Sequence, residues 1–123
     1  MFSSISNDKR LDVINNCYWP LLKLCEGNYK IGIELTGNTL EIINTLDKNW
    51  IYKLKSLLKS NKVELIGSGY SQIIGPLVPS KLNDWNQKLG IEVYKSLLDT
   101  VPSTALINEM SYSSGILEHY VNN

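Results

Sequence analysis

The chain has 123 residues, 43% of them apolar and 20% charged, which suits one soluble domain or part of one. Twelve basic and twelve acidic side chains cancel, so there is no bulk electrostatic reason to bind nucleic acid or an anionic membrane. No apolar run approaches the roughly 20 residues of a spanning helix, and "MFSSISNDKR" has no basic stretch leading into an apolar one, so no secretory signal is read.

"NDKRLDVINNCYWPLLKLCEGN" puts Leu11, Ile14, Tyr18, Leu21, Leu22 and Cys25 on one stripe and predicts a helix, capped by Asn7 or Asp8 and ended by Gly27-Asn28. Pro20 inside it predicts a kink or a split. Cys17 and Cys25 share that helix, and the rise between them is roughly 12 Å, too far for a disulfide. Two buried free thiols in a reducing cytoplasm are the expectation. With no CxxC and His119 as the lone histidine, no metal site and no cofactor is expected.

"YKIGIELTG" reads as the first strand. Asn38 then reads as a helix cap, with Glu41 as its capping-box partner. Asp47 opens another helix, with Trp50, Ile51, Leu54, Leu57 and Leu58 on one side. "KVELIGSG" is the second strand, followed by a loop rich in Gly and Pro from Ser68 to Pro79. Ser80 is read as the cap of a long helix with Leu82, Trp85, Leu89, Val93, Tyr94, Leu97 and Leu98 facing inward. "TALINE" is the third strand, buried from Ala105 to Asn108, and "SSGILEHYVNN" a final helix.

Strand starts near Lys30, Lys62 and Thr104 are separated by helices, the rhythm of right-handed crossovers between parallel neighbours. The class is therefore α/β with a parallel sheet, three strands with helices on one face. In such folds ligands collect beyond the C-terminal strand ends. Those ends carry Glu34 and Thr36, then Ser68, Tyr70 and Gln72, then Asn108, Glu109 and Tyr112. Carboxylates, amides and aromatic platforms suit a sugar. Glu34 alternates to the face opposite Ile33 and Leu35, either lining an interior or serving as a paired edge acid. Glu109 ends a strand either as a solvated loop residue or as the reactive group of a site, and the residues alone leave both open. "GSGYSQIIGPLVP" matches no phosphate-cradle pattern. The lysines at 53, 55, 59 and 62 read as a solvated face. Tyr18, Trp19 and Trp85 read as core, and His119 as a surface or capping residue. No Ser-His-Asp set supports serine chemistry.

"CYWPLLKLCEGNYKIGIELTGNTLEII", "VELIGSGYSQIIGPLVP", a helix with "WNQKLGIEVY" and then "PSTALINEMSYSSG" together resemble the N-terminal catalytic domain of glycoside hydrolase family 57. The resemblance implies an irregular (β/α)7 barrel and retaining action on α-glucans or α-galactosides. It places the nucleophile at Glu109, with Tyr112 as the following aromatic, and makes Glu34, Tyr70, Gln72 and Tyr112 candidates for holding an α-linked glucan or other oligosaccharide. Three features of the family pattern have no counterpart here: a first strand with a histidine motif, a histidine where Gln72 stands, and a general-acid aspartate on a later strand. The expectation is a piece of the barrel, inactive alone and open to self-association through its unpaired sheet edges. The alternative is a non-catalytic α/β module that binds a glycan or a protein through the same edge. A metal-dependent polysaccharide deacetylase would need Asp-His-His ligands that are missing.

Overall fold

The computed structural model describes residues 2–27 and 29–123. Strands β1 (Ile31–Leu35), β2 (Val63–Gly67) and β3 (Thr104–Ala105) form one parallel sheet in the order β1-β2-β3. Register runs from Ile31 opposite Val63 to Leu35 opposite Gly67, and β3 pairs only with Ile66 and Gly67. Helices α3 (Gly37–Leu46) and α4 (Lys48–Lys59) cross from β1 to β2, and α5 (Ser80–Leu98) crosses from β2 to β3. Helix α6 (Ser114–Val121) closes the order. This is the parallel three-strand architecture that the strand–helix rhythm implies.

Alternation sorts the sheet faces. Val63, Leu65 and Gly67 are buried, while Glu64 is exposed and Ile66 half-buried. The buried face meets Leu40 and Ile43 of α3, Trp50, Ile51, Leu54 and Leu57 of α4, and Val93, Tyr94 and Leu98 of α5 in one core. Asp47 caps α4 as its position suggests: Oδ1 accepts the N–H groups of Asn49 (3.0 Å) and Trp50 (3.4 Å). Its Oδ2 accepts the indole N–H of Trp19 at 2.7 Å, so one carboxylate also fastens the N-terminal helix to α4.

That N-terminal helix departs from its pattern. Helix α1 (Arg10–Val13) passes through a π-helical turn at Ile14–Tyr18 into α2 (Trp19–Glu26) with no break. Pro20 does not split it. In an α-turn the proline ring would press on the carbonyl of Asn16, and the widened turn makes room. The extra residue in that turn shifts the phase of everything before it. Leu11, ahead of the turn, therefore falls off the buried stripe; Cys17, within it, is exposed rather than buried, and Leu21, beyond it, is exposed as well. Ile14, Leu22 and Cys25 are fully buried. Neither Asn7 nor Asp8 caps this helix; they form a 3-10 turn ahead of it. Gly27 ends it, and Asn28 lies outside the described residues.

Three further expectations are corrected. Helix α3 is capped by Thr36, not Asn38: the Thr36 hydroxyl accepts the Thr39 N–H at 3.2 Å. The cause is tertiary, because the N–H groups of Gly37 and Asn38 bond to the carbonyls of Gly69 and Tyr70, each at 2.9 Å. Along α5, Leu82, Trp85 and Leu89 are exposed, while Asn83, Asn86, Gln87 and Gly90 are buried. Ser80 does not cap α5; its hydroxyl lies 3.1 Å from His119 Nε2. The third strand is short and not buried: Ala105 and Leu106 are exposed, since β3 is a sheet edge, and burial begins only at Ile107 and Asn108.

Candidate active site

The parallel sheet brings three strand ends to one edge. At its centre stands Ser68, which has no exposed surface. Its hydroxyl donates to the Glu34 carboxylate. Its N–H donates to the Tyr94 hydroxyl oxygen at 3.2 Å, and its carbonyl accepts the Asn108 side-chain amide at 3.4 Å. One residue thus links the ends of β1, β2 and β3. Burial pushes the Tyr94 phenol up, so it stays a neutral hydroxyl, 2.6 Å from the Leu35 carbonyl and 3.1 Å from that of Gly69. Asn108 is 96% buried by its 4% exposure, and its Oδ1 has no partner among the described residues.

Glu34 is half-buried on the face opposite Ile33 and Leu35, as alternation requires. It lines a cavity of about 160 Å³ with Tyr18, Thr36, Thr39 and Trp50. Burial, and to a smaller extent Cys17 and the Glu34 carboxylate, push the Tyr18 phenol up.

The loop after β2 is held by the polar face of α5. The Asn86 side chain accepts the Ser71 N–H (2.8 Å) and donates to the Ser71 carbonyl (3.0 Å), and its backbone carbonyl accepts the Tyr70 N–H (2.8 Å). Asn83 donates to the Gly75 carbonyl at 2.9 Å. These amides satisfy loop backbone that packs against the helix away from water. The approach is close: a Cβ on Gly90 would lie 2.6 Å from the Gly69 carbonyl carbon.

Glu109 stands on the turn that follows β3, exposed, at φ 54° and ψ 22°, and Met110 follows at φ 52°. Two successive left-handed residues, neither a glycine, store on the order of 1–2 kcal/mol each. Among the described residues no hydrogen bond or ion pair holds the Glu109 carboxylate. Tyr112 is exposed two residues beyond Met110. The Tyr70 hydroxyl donates to Glu41 at 2.8 Å, which raises its phenol pKa. Gln72 lines a second cavity, of about 290 Å³, with Arg10, Thr36, Asn38, Thr39 and Ser71.

The structure therefore joins Glu34 to Ser68 and Asn108, sets Glu109 and Tyr112 on the adjoining turn, and places Tyr70 and Gln72 on the neighbouring loop. The joining residues Ser68 and Asn108 stood at strand ends in the sequence. The grip of Asn83 and Asn86 on the loop is not signalled by any apolar period, although with Gln87 and Gly90 they form a buried stripe at helical spacing. The larger cavity of about 500 Å³ lies at the opposite end, beside Val63, Glu64 and Leu65. It exists because β3 leaves that side of β2 unpaired. Among the described residues no three His, Cys, Asp or Glu side chains are grouped to hold a metal ion, and no helix is long and apolar enough to cross a membrane.

The model of glycosyl hydrolase family 57 matches residues 1–123. In an alignment 91 positions long, covering 66% of the chain and 14% of the relative's length, the chain is 24% identical to an alpha-amylase of Pyrococcus furiosus. No solved structure matches the chain. With its whole length matched, the chain belongs to glycosyl hydrolase family 57.

Proposed function

We propose that Glu109 is the nucleophile of a site that cleaves or transfers α-glycosides with retention, and that β1, β2 and β3 carry the nucleophile side of a (β/α)7 barrel. The carrying observation is the turn after β3. It holds a carboxylate with no partner among the described residues, in a left-handed conformation that costs energy, and such strain concentrates at functional sites. In this reading the Glu109 carboxylate attacks the anomeric carbon and forms a glycosyl ester, which water or a sugar hydroxyl then opens. Tyr112 and Tyr70 offer aromatic faces to the sugar, and Gln72 and Glu34 offer hydrogen bonds to its hydroxyls. The substrate is an α-linked glucan or related oligosaccharide, a reading supported by similarity to an alpha-amylase.

The acid that protonates the leaving oxygen belongs about 5–5.5 Å from the nucleophile. None of the five aspartates stands at a strand end: Asp8, Asp12 and Asp84 lie in helical turns, and Asp47 and Asp99 at helix ends. Glu34 is engaged by Ser68. The acid in this reading comes from a further strand, and these 123 residues alone turn over no substrate. Two unlinked cysteines favour a cytoplasmic, reducing setting. A non-catalytic glycan-binding module is the second reading, favoured by the exposed aromatic face of Tyr112 beside the Glu109 turn.

The test uses 5-fluoro-α-glucosyl fluoride, whose leaving group needs little protonation. Peptide mass spectrometry is expected to find one added fluorohexosyl group on Glu109, lost in Glu109→Gln. Labelling elsewhere, or none, overturns the nucleophile assignment. Hydrolysis of maltotriose, whose leaving oxygen needs protonation, by the wild-type chain, abolished in Glu109→Gln, overturns the external acid.

A further inference from the structure

Arg10 is the chain's single arginine. Its guanidinium borders the cavity of about 290 Å³ beside the ends of β1 and β2, where its Nε is buried and has no hydrogen-bond partner among the described residues. No ion pair among those residues engages it. One face of the group lies over the Phe2 ring, 5.5 Å from the centroid, which fixes its plane while leaving the N–H edge for a ligand.

The rest of the lining is uncharged, polar apart from Phe2 and Ile42. Asn38, Thr39, Ser71 and Gln72 surround the space, and no carboxylate lines it. The start of α3 forms one wall, but its first N–H groups are already taken: Gly37 and Asn38 by loop carbonyls, Thr39 by Thr36. The helix end therefore adds only its dipole. The directional donors are the guanidinium, the side-chain amides and the hydroxyls. A cavity with one cation, no acid and several amides fits a ligand that carries an anion on a polyhydroxylated body.

We propose that this cavity is a subsite for an acidic sugar unit, with Arg10 engaging its carboxylate or phosphate group and Gln72 and Asn38 engaging neighbouring hydroxyls. The substrate class becomes an α-glycan or glycoside bearing an anionic residue rather than a wholly neutral glucan. The saccharide half of this assignment rests on the proposed function; the anionic half rests on Arg10.

The experiment measures dissociation constants of the purified chain, by NMR titration, for methyl α-glucoside, methyl α-glucuronide, glucose 6-phosphate and inorganic phosphate. It compares wild type with Arg10→Gln and Arg10→Lys. At least one acidic sugar is expected to bind about tenfold or more tightly than the neutral glycoside, the worth of one charge-assisted hydrogen bond. Glucuronide or sugar phosphate as the tighter binder identifies which anion the site takes. Arg10→Gln is expected to erase the difference and Arg10→Lys to keep most of it, which separates lost charge from lost folding. Equal binding of neutral and acidic sugars overturns the inference while leaving the glycosidase reading intact. Phosphate binding as tightly as either acidic sugar overturns the saccharide assignment. Absence of binding by every sugar, with Glu109 also unlabelled by the fluoride reagent, removes both.

Discussion

The Tyr94 hydroxyl lies 2.6 Å from the Leu35 carbonyl oxygen, so the last third of α5 is fastened to the last residue of β1. The Tyr94 hydroxyl oxygen in turn accepts the Ser68 N–H from the end of β2. Both partners are buried, and removing the hydroxyl leaves a donor and an acceptor without company. Tyr94→Phe is expected to cost about 1–3 kcal/mol, read as a fall of several degrees in melting midpoint. An unchanged midpoint would show that water replaces the hydroxyl and that the strand ends do not depend on it.

Gly90 tests the contact between α5 and the loop after β2. In an exposed helix Gly→Ala stabilises by about 0.5–1 kcal/mol. Here the added methyl would meet Gly69 and the Tyr70 nitrogen at 2.6–2.8 Å, and both are backbone that cannot swing away. Gly90→Ala is expected to lower stability by about 1–3 kcal/mol, measured by denaturant unfolding. The sign decides: a stabilised variant would mean the helix and loop separate at little cost.

The outer face of α5 gives the converse case. Leu82, Trp85 and Leu89 follow a helical stripe in the sequence, and Trp85 is 57% exposed. Trp85→Gln and Leu82→Gln are each expected to move stability by no more than about 0.5 kcal/mol. Burial as read from the sequence would cost about 3–5 kcal/mol for the tryptophan. Chemical denaturation separates these outcomes by a wide margin.

These residues show where sequence reading reaches and where it stops. The core side of α4 was legible because a single amphipathic helix over a sheet obeys one period, and Asp47 was legible because a cap is local chemistry. The parallel sheet followed from the spacing of strands and helices. The buried side of α5 was legible over its C-terminal half, where Val93, Tyr94 and Leu98 are buried, but not over its N-terminal half. Backbone groups of residues 70–75 needed partners, and Asn83 and Asn86 met that need at the expense of the apolar stripe. That demand comes from a loop distant in sequence, and no local period reports it. The same is true of Thr36, made a cap by the pairing of Gly37 and Asn38 with the loop. The π turn was half legible: Pro20 announced a disturbance, but not that a widened turn would absorb it. At the site, the strand-end residues were legible as a group. Their grouping into a Glu34–Ser68–Asn108 link, centred on the buried Ser68, and an exposed Glu109 turn depended on tertiary hydrogen bonds.

The Glu109 turn makes stability and function separable. Glu109 and Met110 both sit at positive φ, where a glycine carries no steric penalty. Glycine also loses more chain entropy on folding, roughly 0.5–1 kcal/mol, against about 1–2 kcal/mol of relieved backbone strain. The balance favours Glu109→Gly and Met110→Gly, each by about 0.5–1 kcal/mol. Glu109→Gln keeps the strained backbone and loses a carboxylate that bonds to nothing in the described structure. The N-cap of helix α6, Ser113, makes no side-chain hydrogen bond, and the Glu109 carboxylate caps nothing there either. Its melting midpoint is expected to match wild type. The labelling results should divide differently. Met110→Gly retains the label on Glu109, whereas Glu109→Gly and Glu109→Gln lose it. A clear drop in midpoint for Glu109→Gln would mean that the carboxylate supports the fold, and its placement would then be structural rather than catalytic.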